Sequence, residues 1–480
     1  MDADVIVIGA GLAGLTAARA LERSGHSVVV LEGRDRVGGR VRNVQLADGS
    51  PLEIGGQWAG PTQHRILALA DELGVATYPT HVTGDNVIEY RGRLVRYRGT
   101  IPRLNAAALA DVGQAQLRLD RLAKRVPTDA PWAAPRAVAL DGQSFATWLR
   151  RNTVTRGARQ LLALSIAAVW ACEPEDVSLL HVLFYIHSAG SFDALVGTEG
   201  HAQDRRFVGG SAVIAERLAA QLRDVRLAST VTRIAQDADG VAVEVARDAE
   251  VASGADGAPG AGGAVDTRLG SPADPVRARH VVVALAPALA GRLRYEPPLP
   301  ADRDQLTQRT PNGSVIKAMC AYPEPFWRAD GLSGQAAATD GPVRVVFDNS
   351  PHGSARGVLV GFFEGRQARE WSPRTPAERS AILTATFVRL FGQRAAEPDE
   401  YVECDWSAEE LTRGCYGAHL PPGAWTAFGP ALKRPAGRIH WAGTETAGTW
   451  SGYMDGALES GERAAAEVVA RMGLRQAQFG

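Results

Sequence analysis

The sequence lacks the features of a disulfide-rich, metal-binding or membrane-spanning protein. Only four of its 480 residues are cysteine, and none of their spacings matches a CxxC or metal-ligand motif, so we expect neither a disulfide framework nor a metal site. The net charge of −1 gives no electrostatic reason to expect binding to nucleic acid or to an anionic membrane. No apolar run is long enough to span a bilayer, and a predicted strand begins at Asp4, where a signal peptide would lie. We therefore expect a cytoplasmic protein without a membrane anchor.

Lysine is also scarce. Among the 52 lysines and arginines, only Lys124, Lys317 and Lys433 are lysine. Lys317 lies in the apolar run 314–322, which predicts a buried strand. A lysine can lose its charge when it is desolvated, whereas an arginine stays charged. A lysine inside a hydrophobic strand of an arginine-rich chain therefore indicates a chemical role, with a solvated surface lysine as the alternative.

What the sequence does contain is a nucleotide-binding signature in its first forty residues. The run 4–8 predicts a buried strand, a helix is predicted over 15–24, and a second strand over 27–31. Between the first strand and the helix lie Gly9, Gly11 and Gly14. These glycines allow a tight turn, the approach of a pyrophosphate and close packing of the helix on the strand. Glu32 ends the second strand, where a carboxylate accepts hydrogen bonds from a ribose. An ordinary glycine-rich turn is the alternative.

The residues that follow indicate which dinucleotide is bound. The segment RDRVGGR contains Arg34, Gly39 and Arg40, which add a glycine pair and further phosphate donors. This extended pattern resembles the fingerprint of the flavin-containing amine oxidases, and the resemblance implies FAD rather than NAD. It also implies an α/β fold. A Rossmann-like FAD-binding domain of the glutathione-reductase type carries an inserted α+β substrate-binding domain, as in monoamine oxidases.

The length of the chain predicts two domains, and both are expected to be discontinuous. The FAD-binding domain is assigned to residues 1–85, 203–295 and 405–472, and the substrate-binding domain to residues 86–202 and 296–404. Residues 249–275 contain mostly Gly, Ala, Pro and Asp, and they cannot bury enough surface to offset the entropy of ordering. We expect a flexible loop there. Residues 131–149 resemble bacterial putrescine oxidases, a likeness that indicates ancestry more than substrate.

Further segments are assigned through the same resemblance. The stretch LEIGGQW, which includes Gly56 and Gln57, is similar to the family segment that passes the flavin ring. Relatives that oxidise amino acids have an arginine there, so the Gln57-Trp58 pair favours a simple amine as substrate, unless another segment supplies an arginine. Gln203 resembles a pocket residue of monoamine oxidases, with a surface position as the alternative. Val231 lies where the family's backbone pairs with adenine.

The C-terminal quarter ends in a predicted helix over 458–472 and is most similar to monoamine oxidases. The segment RGCYG resembles the one whose cysteine carries FAD through a thioether, which implies a covalent flavin at Cys415, with a buried free thiol as the alternative. The tyrosine after it, Tyr416, is then one wall of an aromatic cage, and Tyr453 is the other. Lys317 resembles the lysine that holds a water against the flavin. The remaining expected FAD contacts are Gly443, Thr444, Glu445, Tyr453 and Met454.

The activity that the resemblance implies is FAD-dependent oxidation of a primary or secondary amine by O2 and water to aldehyde, ammonia and hydrogen peroxide. Lys317, Tyr416 and Tyr453 are the predicted catalytic residues, and Gln203 and the two tyrosines are predicted to bind substrate. No general base is evident in the sequence. The expected partners are a small-molecule amine and O2, and a homodimer is the working expectation for assembly.

Three alternatives stay open. A putrescine or polyamine oxidase would need an acid deep in its pocket, and the sequence does not locate one. A flavin-dependent tailoring oxidase of an amine-containing metabolite would have much the same sequence features. A protein of this fold that binds a lipidated partner without redox chemistry is the third alternative.

Overall fold

The computed structural model describes residues 1–99, 105–246 and 274–479. The predicted flexible loop at 249–275 lies outside the described residues except for its last two positions. Within the described part of the chain, no helix is long and apolar enough to cross a membrane.

A parallel sheet is built around the nucleotide-binding signature. In spatial order its five strands are Ile439–Trp441, His280–Val283, Val5–Ile8, Val28–Leu31 and Val225–Arg226. Val5 lies in register with Val28 on one side and with His280 on the other. The central strands are short β-branched runs buried on both faces, which is typical of parallel strands covered by helices.

The first helix is longer at its start than the sequence predicts. It spans Leu12–Arg23 rather than 15–24, so Gly14 lies in its first turn. The sequence prediction starts the helix after the glycine motif, and glycine is disfavoured inside a helix. The tertiary structure requires this glycine, because a Cβ at Gly14 would lie 1.9 Å from the carbonyl oxygen of Gly9. The C-terminal helix, predicted over 458–472, likewise begins earlier and spans Met454–Phe479.

A second, mixed sheet of seven strands forms the other large unit of the fold. Its order is Glu400–Asp405, Val315–Tyr322, Gly357–Glu364, Val343–Asp348, Leu332–Ala338, Asp85–Tyr90 and Arg93–Tyr97. All eight residues of Val315–Tyr322 are buried, as the apolar run predicts. In this sheet Lys317 is paired with Phe362, and Val315 is paired with Glu364. The domain boundaries given above stay a prediction.

Four of the helices between residues 105 and 190 begin at side-chain caps. Each capping side chain accepts a hydrogen bond from a backbone N–H in the first turn, which stabilises the helix start. The caps are Asn105, Ser144, Thr155 and Ser178, and their helices are Ala106–Ala123, Phe145–Asn152, Arg156–Trp170 and Leu179–Ala189.

The remaining elements are shorter or lie at the edges. A four-stranded sheet contains Val276–Ala278, Val241–Val245, Val231–Gln236 and Arg294–Glu296. Two small pairs join Asn43–Gln45 to Pro51–Glu53 and Thr77–Pro79 to Arg205–Phe207. The other α-helices are His64–Glu72, Ala137–Asp141, Phe192–Val196, Ala212–Ala219, Pro287–Ala290, Ala301–Gln308, Phe326–Ala329, Arg366–Trp371, Pro376–Phe391 and Ala424–Phe428.

Candidate active site

One large cavity, of about 1080 Å³, is lined by residues of both large sheets. It brings together side chains from the beginning, middle and end of the chain. The predicted site residues that line it are Gly9, Gly11, Glu32, Arg34, Gly39, Arg40, Gly56, Gln57, Gln203, Val231, Lys317, Cys415, Tyr416, Gly443, Thr444, Tyr453 and Met454. Gly14 and Glu445 do not line it, and each instead positions a neighbour that does.

The glycine-rich end of the cavity is shaped by the backbone of the first turn. Gly9 has a φ of +99°, a conformation that residues with a Cβ rarely adopt. The buried carboxylate of Glu32 accepts hydrogen bonds from the N–H of Ala10 at 2.8 Å and of Arg34 at 3.0 Å. These two contacts hold the acid at the end of the second strand, where the sequence predicts a ribose.

An ion pair joins the beginning of the chain to its C-terminal quarter. The Arg40 guanidinium donates to the two carboxylate oxygens of Glu445 at 2.6 and 3.2 Å, and to the carbonyl of Tyr416 at 3.0 Å. Burial opposes ionisation of Glu445, but the charge and hydrogen bonds of Arg40 outweigh it, and the pKa of Glu445 lies below its ordinary value. Glu445 therefore orients Arg40, which lines the cavity.

Lys317 is buried at the centre of the site, so the surface alternative is wrong. Its Nζ donates to the carbonyl of Gly55 at 2.9 Å and to Oε1 of Gln57, whose own Nε2 donates to Asn349. Burial lowers the pKa of Lys317 to about 7, with Glu53 acting in the opposite direction. The lysine can therefore gain or lose its proton near neutral pH.

Two tyrosines line the cavity from different segments. Tyr416 packs edge-on against Phe362, with ring centroids 6.3 Å apart, and Tyr453 packs against Trp450 at 5.0 Å. Burial raises the pKa of both phenols above the ordinary value, so both stay neutral. Beside Tyr416, the thiol of Cys415 is free and buried, and burial raises its pKa to about 12.

Trp58 and Gln203 both line the cavity. Trp58 packs against Phe347 with centroids 5.0 Å apart, so it is a packed aromatic and a cavity wall at once. Gln203 donates from Nε2 to the carbonyl of Leu195, while its buried Oε1 has no partner among the described residues. Gln203 is half-buried at the cavity wall, and its contact with substrate stays a prediction.

Sequence reasoning missed one acid, Glu364. It lines the cavity, is only 2% exposed, and accepts a hydrogen bond from the Tyr416 hydroxyl at 3.1 Å. Burial raises the pKa of Glu364 to about 7. A signal was present, because side chains alternate along a strand and Glu364 shares the face of Phe362.

Comparison with known proteins identifies the family of the chain. The family described as flavin-containing amine oxidoreductase matches residues 12–469. The chain belongs to this family. A Mycobacterium tuberculosis protein named as a flavin-containing monoamine oxidase, AofH, is 44% identical over 468 residues, which cover 97% of this chain and 96% of that protein.

Two solved structures of amine oxidases are also similar over nearly the whole chain. A cyclohexylamine oxidase from Brevibacterium oxydans is 33% identical with a TM-score of 0.90, covering 98% of this chain and 100% of that one. A putrescine oxidase solved with putrescine bound is 34% identical with a TM-score of 0.89, covering 98% of this chain and 99% of that one.

As a flavin-containing amine oxidase, the protein is an oxidoreductase that acts on amines with FAD as cofactor. The predicted fold is confirmed, and the alternative of a non-redox binding protein is wrong. The cavity fits a dinucleotide, because it combines the glycine turn, the fixed carboxylate of Glu32 and the guanidinium groups of Arg34 and Arg40. We expect these residues to hold the FAD of this amine oxidase.

Proposed function

We propose that this amine oxidase converts a monoamine with an apolar substituent to an aldehyde, ammonia and hydrogen peroxide. The observation that carries the proposal is the lining of the cavity, which is mainly apolar. It includes Leu161, Leu164, Val169, Phe192, Leu195, Val345, Val346 and Phe347. A mainly apolar lining suits an aryl or alkyl group better than a carboxylate or a second ammonium.

In this proposal the residues of the chain have different roles. Tyr416 and Tyr453 hold the amine between their ring faces and exclude bulky branches near the nitrogen. FAD, when bound, supplies the electron chemistry, taking two electrons and the α-hydrogen from the neutral amine and passing the electrons to O2. Lys317 holds a water on the side of the cavity where O2 reacts. The imine leaves the cage and is hydrolysed by water.

A peroxide-release screen tests the substrate class. It compares tyramine, phenethylamine and benzylamine with putrescine, spermidine and several L-amino acids. We expect the three arylalkyl monoamines to give the highest kcat/KM. Preference for an L-amino acid would contradict the inference from Gln57 and Trp58, and preference for putrescine would replace the proposal by its nearest alternative.

That alternative is diamine oxidation, and one observation favours it. The similar putrescine oxidase was solved with putrescine bound, and the cavity of this chain does contain a buried acid, Glu364. However, Glu364 contacts Tyr416 itself, so it lies beside the proposed cage. Asp193 and Glu199 also line the cavity, but both are exposed. We therefore keep the monoamine as the proposed substrate.

We also propose that FAD is attached covalently through Cys415, which lines the cavity beside Tyr416. The Cys415→Ala variant tests this. Acid precipitation of the wild-type protein is expected to leave yellow colour in the pellet, while the variant releases its flavin into the supernatant. Cys404→Ala is a matched control, because Cys404 belongs to the same buried cluster but does not line the cavity. A bleached wild-type pellet would contradict the thioether.

The cytoplasmic location and the homodimer stay predictions. Cell fractionation and size-exclusion chromatography with light scattering measure them directly.

A further inference from the structure

Glu364 has no part in the proposed function so far, although its position is central. It ends the strand Gly357–Glu364, on the face that also carries Phe362. Phe362 is in register with Lys317 on the neighbouring strand and packs against Tyr416. Glu364 is therefore held by a rigid sheet at the edge of the aromatic cage.

The carboxyl group is only partly satisfied by the protein. Oε1 accepts the Tyr416 hydroxyl, whereas Oε2 is buried and has no hydrogen-bond partner among the described residues. None of the ion pairs found in the described part of the chain includes Glu364; Arg344 acts on it only from a longer distance. A buried carboxylate without a cation is unstable, so this position favours either protonation or a cationic ligand.

The groups around Glu364 shift its pKa in both directions. Burial raises its pKa to about 7, Arg344 and the Tyr416 hydrogen bond lower it, and Glu173 raises it. Both the carboxylate and the carboxylic acid are therefore available at neutral pH. The buried amine of Lys317 lies across the strand pair on the same face.

The substrate of an amine oxidase must lose a proton before it reacts. An alkylammonium with a pKa like that of lysine, about 10.4, is neutral in only about one molecule in 10³ near pH 7.4. The proposed function uses the neutral amine, because the nitrogen lone pair assists removal of the α-hydrogen. Some group must therefore take the proton once the ammonium has left water.

We propose that Glu364 receives the substrate as an ammonium ion and takes its proton. The inference rests on the proposed function. One N–H bond breaks and one O–H bond forms at the Glu364 carboxylate, so that the carboxylate and the ammonium become a neutral acid and a neutral amine. No electrons move in this step. The proton returns to water or to the departing ammonia, and the carboxylate is restored for the next turnover.

Glu364→Gln tests the proposal through its dependence on pH. In the wild type, kcat/KM is expected to rise to a plateau near pH 7, where Glu364 ionises, and to hold it up to the pKa of the substrate. The variant must capture the rare neutral amine, so its kcat/KM rises about tenfold per pH unit. We expect a loss of at least about 10²-fold at pH 7.5 that shrinks to a few-fold near pH 10. A loss that is equal at all pH values would show a structural role only and would overturn the proposal.

Two further variants are expected to shift the pH at which kcat/KM rises to its plateau, without removing the acid. We call this rise the acidic limb. Tyr416→Phe removes the hydrogen bond that favours the carboxylate, so the limb is expected to move to higher pH even though the cage is weakened. Glu173→Gln removes a negative charge outside the cavity, so the limb moves to lower pH with activity retained. Limbs that stay in place in both variants would assign the ionisation to another group.

A proton count gives a readout that does not depend on turnover. Enzyme whose flavin has been reduced beforehand is mixed, without oxygen, with the best amine of the screen at pH 8 in the presence of a pH indicator. Wild type is expected to release almost no proton, because Glu364 keeps it. Glu364→Gln is expected to release about one proton per amine bound and to bind more weakly. Equal proton release by both proteins would overturn the inference.

Different results would contradict the proposed function and the proposed role of Glu364. If the wild type releases no peroxide with any amine of the screen, the proposed function is wrong. If the wild type oxidises amines and Glu364→Gln follows its pH profile, the function stands and only the role of Glu364 is wrong.

Discussion

Replacing Gly14 by alanine is expected to abolish flavin binding and to destabilise the protein by about 3 kcal/mol or more. The added Cβ would lie 1.9 Å from the carbonyl oxygen of Gly9 and 3.2 Å from the Cβ of Ala284. The oxygen belongs to the turn between the first strand and the first helix, so it cannot move away as a side-chain end could. To relieve the clash, the helix must move away from the sheet. This movement opens the turn that is expected to bind the pyrophosphate.

Gly473→Ala is the matched control for this substitution. Gly473 also lies inside a helix, Met454–Phe479, but a Cβ there meets nothing within 4 Å. Alanine is expected to stabilise that helix by up to about 1 kcal/mol and to leave the flavin in place. Both variants are compared by thermal unfolding and by the ratio of flavin to protein absorbance. A Gly14→Ala protein that keeps its flavin and its Tm would contradict the close packing.

Lys317→Met is expected to slow reoxidation of the flavin by O2 on the order of 10²-fold, the usual effect of removing one preorganised group from an active site. Methionine has a similar shape but can neither donate a hydrogen bond nor carry a proton. Reduction of the flavin by the amine is expected to change less, because Tyr416 and Tyr453 are untouched. Stopped-flow measurements of the two half-reactions separate these effects. If both half-reactions slowed equally, Lys317 would have no specific role in the reaction of the flavin with O2.

The same substitution should change how stability depends on pH. The pKa of Lys317 is lowered by burial from 10.5 to about 7. Below pH 7 the lysine is charged in both the folded and the unfolded protein, so the full cost of burying the charge is present. Between pH 7 and 10.5 only the unfolded chain binds the proton, so the free energy of unfolding rises with pH. Lys317→Met lacks this rise.

The effect that is specific to the lysine can be isolated by thermal unfolding of the flavin-loaded proteins. The difference in Tm between Lys317→Met and wild type is expected to favour the variant most at pH 6 and least above pH 10. Lys124→Met serves as the control, because Lys124 is exposed at the end of the helix Ala106–Ala123. Its Tm should follow that of the wild type at every pH. A constant difference for Lys317→Met would show that the lysine does not titrate in this range.

The starts of two helices show where local patterns mislead. The propensity of glycine places the first helix after Gly14, whereas the structure begins it at Leu12, because packing against the sheet outweighs the intrinsic cost of one glycine. The C-terminal helix begins at Met454 and not at Leu458. Both shifts matter, since helix N-termini are the parts of these elements that face the cavity.

The contacts of Glu364 and Glu445 show what sequence spacing does not predict. The Arg40–Glu445 pair joins residues 405 positions apart, and the Tyr416–Glu364 hydrogen bond joins residues 52 positions apart. No spacing rule relates such positions, because each contact depends on how two sheets and a loop come together. The alternation of the strand Gly357–Glu364 does indicate that Phe362 and Glu364 share a face, but not which face meets the cavity.

The sequence by itself determined the dinucleotide-binding fold and the burial of Lys317. Both follow from local rules, namely the spacing of glycines between two strands and an unbroken apolar run around one lysine. Only the tertiary structure decided that the two tyrosines, the lysine and Glu364 line one cavity. It also left one buried oxygen of Glu364 without a hydrogen-bond partner among the described residues, because burial and hydrogen-bond partners arise from segments that meet only when the chain has folded.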